Sequence, residues 1–464
     1  MTAGPSMLSH TDIVVLGSGP AGVAAARTLR GLGYEVAVVG AACGRSLEGL
    51  SQRTLAQLSG CGLHAAAGCV SAPGERSGAW GGAMLSGSVE YLVDRAELDL
   101  ALLEDAARSG ISIWAARAVS VERAGNAWRV RTTRGALECR VLIDARGRRA
   151  QRKRLVAGPS LIAVSQRLRA PSTGVTCTRM HAFPRGWAWL AMSGRGAGCL
   201  QVITFPTEPS LRAGLEAHLR LIAADSPEIA EALCRASPDG QPIARPATAA
   251  LAAHPDRPGL LAVGDASVAA DPLCGHGMYE ALRSATVTAA AANSYLLTGD
   301  WQPVRQFIRE RAEEIWRRTC ETAALHYGRQ ADVMPTPFWR RAARAYRTAR
   351  RTEAGGLAMS AGAAAPGRIE QRPVLNGTRI EMRRVVVVSD APRGVWKVDG
   401  VELAALVDLL RGAHTTDVCR AAQQLSCEPA AVARAVQWLR GRGLLQKEAS
   451  MAGARKAGEP LPAG

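Results

Sequence analysis

The run Val14-Val15-Leu16-Gly17-Ser18-Gly19-Pro20-Ala21-Gly22 constrains this chain more tightly than any other segment. The apolar residues Ile13 to Leu16 predict a short buried parallel strand. Gly17 then allows a tight turn, and Gly19 lets the backbone approach a pyrophosphate. Gly22 lets the following helix pack against the strand. Together with Pro20 and Ala21 these are the candidate phosphate-binding positions. The helix, apolar at Val23, Ala26 and Leu29, turns free N–H groups and a positive dipole end toward the phosphates. Gly33 ends it, and Val36 to Val39 predicts a second strand. An Asp or Glu commonly closes that strand to bind ribose hydroxyls, but Gly40 stands there. Arg45 and Glu48 follow closely and are candidates for the role.

A second segment lies far downstream: Leu260-Leu261-Ala262-Val263-Gly264-Asp265-Ala266-Ser267, then Asp271-Pro272-Leu273-Cys274-Gly275-His276-Gly277-Met278. It reads as a strand and a loop that opens a helix from Tyr279 to Ala290. Between the two segments, Asp94-Arg95 starts an apolar-periodic helix from Leu98 to Ala107. Val141 to Gly147 reads as a buried strand ending in a turn.

The chain has 464 residues and is 47% hydrophobic, enough for two or three domains with real cores. No stretch approaches the roughly 18 apolar residues of a membrane span. Residues 1–12 lack the basic start and apolar run of a secretory signal, so a cytoplasmic location is expected. Eleven cysteines are scattered without CxxC or Cys/His ligand spacing, so neither a metal site nor a disulfide framework is expected. The net charge is +17, nearly all of it arginine; the only lysines are Lys153, Lys397, Lys447 and Lys456. Such a field suits an acidic partner, although arginine bias alone would also produce it.

The nucleotide-binding part is expected to be discontinuous, 1–154 with 247–300. The intervening 155–246 alternates in places, as at Cys199 to Phe205, and predicts an antiparallel sheet crossed by a helix from Leu211 to Ala223. Residues 301–353 read as a helical segment whose end, Trp339 to Arg351, carries no acidic residue and places Arg340, Arg344, Arg347 and Arg351 on one face. That face is either solvated or a docking surface for an acidic protein. A small-residue linker follows at 354–367. Residues 368–447 predict a strand (Arg383 to Val388), three helices (Val401 to Leu410, Thr416 to Leu425, Pro429 to Arg440) and a wing-like strand at Leu444-Leu445-Gln446. The third helix is poor in base-reading side chains, which favours peptide docking or packing over DNA readout. The tail 448–464 is expected to be disordered.

The fingerprint, the Asp94-Arg95 helix start, the Asp144-Ala145-Arg146-Gly147 turn and the Gly264-Asp265 segment resemble the two-domain flavoprotein monooxygenases, whose relatives include flavin halogenases and geranylgeranyl-type reductases. The resemblance spans Thr11 to Leu297. It implies an α/β fold: a Rossmann-like FAD-binding domain, an antiparallel-sheet substrate domain and, beyond them, the small winged-helix-like module. It implies that Gly264 and Asp265 hold the ribityl or pyrophosphate part of FAD, and that Arg45 and Arg95 belong to the cofactor site. Pro272 shapes the loop beside the flavin ring, and the N–H groups at Gly275, Gly277 and Met278 face the flavin pyrimidine carbonyl. Gly186-Trp187-Ala188-Trp189-Leu190 resembles a substrate-domain strand. Trp187 and Trp189 share a face, either as core residues or, with Cys274, as a wall of the substrate pocket. His276 is the candidate for managing a proton.

Halogenation in this group depends on an active-site lysine in the first third of the fold, and this chain has none there. A second glycine fingerprint is also missing, so NAD(P)H binds transiently or a separate reductase supplies electrons, with O₂ as co-substrate. Within the group, the charge, the Trp187–Trp189 strand and the C-terminal module most resemble monooxygenases of tryptophylquinone cofactor maturation. This implies hydroxylation of a tryptophan side chain through a flavin C4a-hydroperoxide. The substrate would be a small acidic polypeptide, met together with its other maturation proteins, with no nucleic acid and no membrane span involved. A small-molecule flavin hydroxylase or an isoprenoid-type reductase is the alternative.

Overall fold

The computed structural model describes residues 8–42, 44, 46–150, 154–253, 256–351, 367–412 and 418–445. Arg45, Lys153, most of the 354–367 linker and the 448–464 tail lie outside the described residues. The chain forms two compact units, residues 1–358 with 375–380, and residues 359–374 with 381–464.

In the first unit, Leu8–Leu16 lies between two parallel neighbours, Val36–Val39 and Gly135–Asp144. The pairing Val15↔Val38 and Val15↔Ile143 puts the glycine turn at the carboxyl ends of all three strands. Ser112–Trp114 extends one edge and the antiparallel pair Ala118–Ala124 and Ala127–Thr132 the other. Ile13 to Leu16 are apolar without alternation because both faces are covered. Ile13 and Val15 meet the helices Pro20–Gly31, Arg95–Arg108 and Gly277–Thr298; Val14 and Leu16 meet Trp128, Val130 and Leu137. The chain returns at Leu260–Ala262, which pairs in parallel with Leu142 to Asp144. This return brings the two glycine-bearing segments together.

The second sheet has nine strands among the described residues. Ile162–Arg169, Ala197–Thr204, Gly186–Met192 and Cys177–Phe183 form its antiparallel centre. Gly74–Trp80, Ala83–Asp94 and Leu47–Leu50 extend it. The sheet thus draws strands from residues that the sequence groups with the nucleotide-binding part. The Trp80↔Ala83 hairpin supplies them, turning through Gly81 and Gly82. One face buries Val164, Leu190 and Leu200 under the helices Leu215–Asp225 and Pro227–Arg235. The single helix expected from Leu211 to Ala223 is interrupted at Gly214 and followed by a second that starts at Pro227. The opposite face buries Met180, Trp187 and Ile203 against Trp316, Tyr327 and Trp339. Those three residues come from two helices, Gln302–Val333 and Pro337–Arg351, separated where Pro335 and Pro337 stop the first and start the second.

The strands Arg368–Asn376, Arg379–Val388 and Ala391–Val395 form a further sheet, which belongs to the second unit except for residues 375–380. The helices Leu403–Gly412, Val418–Leu425 and Pro429–Arg440 follow, around a core of Val386, Leu406, Val432 and Leu439. Leu444, expected in a wing-like strand, is instead buried in the turn after the last helix; Gln446 lies outside the described residues. Among the described residues, no helix is long and apolar enough to cross a membrane.

Candidate active site

The glycine turn is shaped by its neighbours. Gly17 has φ +118, and a side chain there would collide with the backbone of Ala145. A side chain on Gly22 would collide with the Gly17 carbonyl. Pro20 occupies the first turn of the helix, where its missing N–H costs nothing, and Gly19 caps it with no side chain in the way. A Cβ at Gly19 would lie 3.3 Å from Nη2 of Arg95, so Arg95 stands over the open helix end. Its Nε donates to Asp99 at 2.6 Å and its Nη1 to Glu48 at 3.0 Å. Burial works against the Arg95 charge, but Glu48 and Asp99 outweigh it and hold the guanidinium pKa above its ordinary value. Glu48 is therefore the anchor of Arg95. Gly40 also has a local cause: a Cβ there would fall 2.8 Å from Ser18 Oγ. The acidic residue usual at this point would have to displace the turn.

The second segment closes the cradle. Val263 N–H donates to the Asp144 carbonyl at 3.1 Å, and Gly264 N–H to Ser284 Oγ at 3.0 Å. Asp265 accepts from Arg148 Nε at 3.0 Å, and a third of its side chain stays open. Arg148 also donates to the Thr248 carbonyl at 2.7 Å and the Ala270 carbonyl at 2.6 Å. Burial pushes the Asp265 carboxyl up while Arg148 opposes the shift. Sequence reasoning missed Arg148; only its place just beyond the Asp144 to Gly147 turn hinted at it.

Asp271 anchors the next loop. It is buried and accepts from Leu273 N–H at 2.8 Å, fixing the turn Pro272–Cys274. Tyr346 also donates to it, and Tyr327 donates at 3.3 Å. Tyr327 in turn accepts from Trp187 Nε1 at 3.3 Å. Burial raises the Asp271 carboxyl, and burial beside Asp271 raises both tyrosines well above their usual range. Cys274 packs against this cluster, and burial pushes its thiol up, so it stays protonated. Gly275, His276 and Gly277 are exposed and Met278 is half-buried. His276 is the N-cap of Gly277–Thr298 without a side-chain capping bond, so that helix end keeps free N–H groups. Burial, then Arg329, His276 and Arg76, hold nearby His326 below its ordinary pKa.

The register of the large sheet separates the two tryptophans. Met180↔Trp189 and Ala182↔Trp187 place both on the face toward this loop. Trp187 is 2% exposed and belongs to the core. Trp189 is half-buried, with its Nε1 3.5 Å from Glu90 Oε2. Gln201 pairs with Trp189 and donates to Ser165 Oγ at 3.2 Å. A partly open polar row thus begins where the aromatic core ends.

A model of the pyridine nucleotide-disulphide oxidoreductase family matches residues 11–158. A search of the curated proteins finds no match. Among solved structures, the chain is similar to the peptidyl tryptophan dihydroxylase QhpG, essential for tryptophylquinone cofactor biogenesis. The identity is 31% with a TM-score of 0.79, covering 94% of this chain and all of that one. This chain belongs to the QhpG family of FAD-dependent monooxygenases. Two halogenases share the fold. The myxobacterial chondrochloren halogenase CndH has 21% identity and TM-score 0.62, covering 72% of this chain and 86% of that one. The flavin-dependent halogenase CmlS has 18% identity and TM-score 0.70, covering 94% and 96%.

Membership makes FAD the cofactor, and the residues fit it. The backbone is bare along Gly17, Gly19 and Gly22, a guanidinium stands over the helix end, and Asp265, close enough to feel the Arg95 charge, keeps a third of its side chain open. Gly17 to Gly22 and Arg95 would hold the pyrophosphate, Asp265 the neighbouring hydroxyls, and the Gly277–Met278 helix end the flavin ring. Arg45 lies outside the described residues.

Proposed function

We propose that this QhpG-family monooxygenase hydroxylates the indole ring of a tryptophan within a small acidic polypeptide, as a step of quinone cofactor maturation. The observation that carries this reading is the likeness to QhpG across essentially the full length of both chains. Bound FAD, reduced with electrons from NAD(P)H or a separate reductase, supplies an electrophilic oxygen atom from O₂.

The protein's own groups then have distinct tasks. The free N–H groups at Gly277 and Met278 stabilise negative charge on the flavin ring. Asp271, held by Tyr327 and Tyr346, fixes the loop that aims them. Trp189, half-buried on the sheet face toward the loop, forms one wall for the incoming indole, and the aromatic core behind it excludes water. His276, exposed at the loop, exchanges a proton with solvent.

Docking falls to the helix Pro337–Arg351. Its inner face is filled by Phe338, Trp339, Ala342, Ala343 and Tyr346. Arg340, Arg344 and Arg347 are exposed on the other side and make no ion pair among the described residues. On the neighbouring helix, by contrast, Arg309, Arg317 and Arg318 pair with Glu313, Glu321 and Glu314. Unpaired arginines at helical spacing suit an acidic polypeptide.

The test is to incubate the FAD-loaded protein with NAD(P)H, O₂ and a small acidic tryptophan-bearing polypeptide encoded beside its gene, then weigh the polypeptide. Oxygen atoms gained on a tryptophan support the reading. An unmodified polypeptide, with turnover of a free aromatic compound instead, overturns it.

A further inference from the structure

Buried and half-buried carboxylates in this arginine-rich chain are commonly paired. Glu48 and Asp99 meet Arg95, Asp94 meets Arg167, Asp144 meets Arg146 and Asp265 meets Arg148. Glu90 is half-buried and meets no cation among the described residues. Its Oε2 accepts from Thr178 Oγ1 at 2.6 Å and lies 3.5 Å from Trp189 Nε1. Its Oε1 accepts no hydrogen bond among the described residues and rests over the bare backbone of Gly49, where any side chain would strike it.

The register fixes where this oxygen is. Gly74↔Glu90 and Thr178↔Arg76 put Glu90 on the same face as Thr178, Met180 and Trp189, the face that meets the Asp271 loop through Trp187. On its other side Leu50↔Tyr91 and Gly49↔Leu92 bring in the strand Leu47–Leu50, which carries Arg95's partner, Glu48. The carboxylate therefore stands on the sheet face that carries the half-buried Trp189, on the strand paired with the one that carries Glu48.

We propose that Glu90 accepts the indole N–H of the substrate tryptophan and so both orients the ring and stabilises the charge it develops. This rests on the tryptophan reading above. An indole has one polar ring atom, a donor, so a site that fixes its orientation needs an acceptor. A carboxylate is the stronger kind. Electron density leaves the ring as it meets an electrophilic oxygen, the N–H becomes more positive, and the bond to Glu90 tightens in the transition state. Trp189 already presents an indole N–H to this carboxylate. No covalent bond to Glu90 forms or breaks.

The test uses the tryptophan polypeptide and a synthetic copy with 1-methyltryptophan at the reacting position. A hydrogen bond to a charged acceptor corresponds to roughly a 10- to 100-fold effect. The wild-type enzyme should lose about that factor in kcat/KM on the methylated copy. Glu90→Gln should lose a similar factor on the native polypeptide and about twofold or less on the methylated one; Glu90→Asp should recover part of the native rate. FAD content and flavin reduction by NAD(P)H confirm that each variant is folded. Equal wild-type rates on both polypeptides overturn the proposal without any variant. Equal Glu90→Gln losses on both overturn it too, leaving Glu90 a structural partner of Thr178. If the wild type oxidises neither polypeptide, the tryptophan reading falls and takes this proposal with it, a result distinct from equal oxidation of both.

Discussion

A Cβ built on Gly264 would lie 2.9 Å from Cβ of Ala21, so the two glycine-bearing segments touch at the start of the helix Pro20–Gly31. Gly264 also has φ +59, a conformation that costs other residues about 1–2 kcal/mol. Gly264→Ala should therefore strain the loop and push the helix end at Ala21 aside. FAD affinity should fall at least about tenfold for a displacement costing about 1.4 kcal/mol. Titration of the apoprotein with FAD, followed by flavin fluorescence, checks this; unchanged affinity would refute it.

Arg148 ties Asp265 to two carbonyl oxygens, those of Thr248 and Ala270. Arg148→Ala removes all three bonds at once. Stability should drop by about 1–3 kcal/mol, and FAD should elute on desalting. Arg148→Lys should recover little, because an ammonium cannot reproduce the planar fork. Denaturant melts and the flavin-to-protein absorbance ratio report the two effects separately.

The nucleotide-binding half was legible because its physics is local. Gly17, Gly19 and Gly22 serve a turn within a few residues, and the Ile13 to Leu16 run reports a strand buried on both faces. Arg95 was readable from spacing only as a helix-start residue, and the resemblance put it in the cofactor site; that the strand Leu47–Leu50 holds it there through Glu48 no local pattern shows. The large sheet was harder. Gly74–Trp80 alternates weakly and joins the sheet through long-range pairing with Cys177–Phe183. Spacing put Trp187 and Trp189 on one face, but only the helices packed above decide that the first is core and the second half-open. Asp271 looked like a loop residue beside Pro272. Its tyrosine partners lie on helices beyond the fingerprint pair, where sequence offers no link.

The two tryptophans should separate by experiment. Trp187 is fully packed and donates to Tyr327, so Trp187→Ala should cost about 3–5 kcal/mol and broaden into loss of FAD. Trp189→Ala should cost less, about 1–2 kcal/mol, keep FAD, and reduce hydroxylation of the polypeptide. Equal destabilisation by both would mean that Trp189 is core as well.

The outer face of Pro337–Arg351 can be tested by charge. Arg340 and Arg344 stand four apart and Arg347 three further, spacings at which like charges destabilise a helix. Three glutamates at the same spacings repel one another alike, so Arg340→Glu, Arg344→Glu and Arg347→Glu together should leave stability about unchanged. Binding to the acidic polypeptide should weaken markedly and lose much of its salt dependence. Unaltered binding at low salt would remove this helix as the docking surface.

Asp271 gives a pH signature. Burial raises its carboxyl pKa in the folded protein above the unfolded value, near about 3.9 for a free aspartate. The folded state therefore takes up the proton at higher pH than the unfolded chain. The associated stability is fully present below the unfolded pKa and is lost as pH rises through the folded one. Burial disfavours the ionised form of Asp271, and the Tyr327, Tyr346 and Leu273 donors offset that cost in part. Asp271→Asn keeps an acceptor oxygen for the tyrosines but cannot titrate. The stability difference between wild type and Asp271→Asn, measured by denaturant melts across the pH range in which the protein stays folded, should shift in favour of the wild type as pH falls through the folded pKa. A difference that stays flat with pH would show that Asp271 titrates alike in both states.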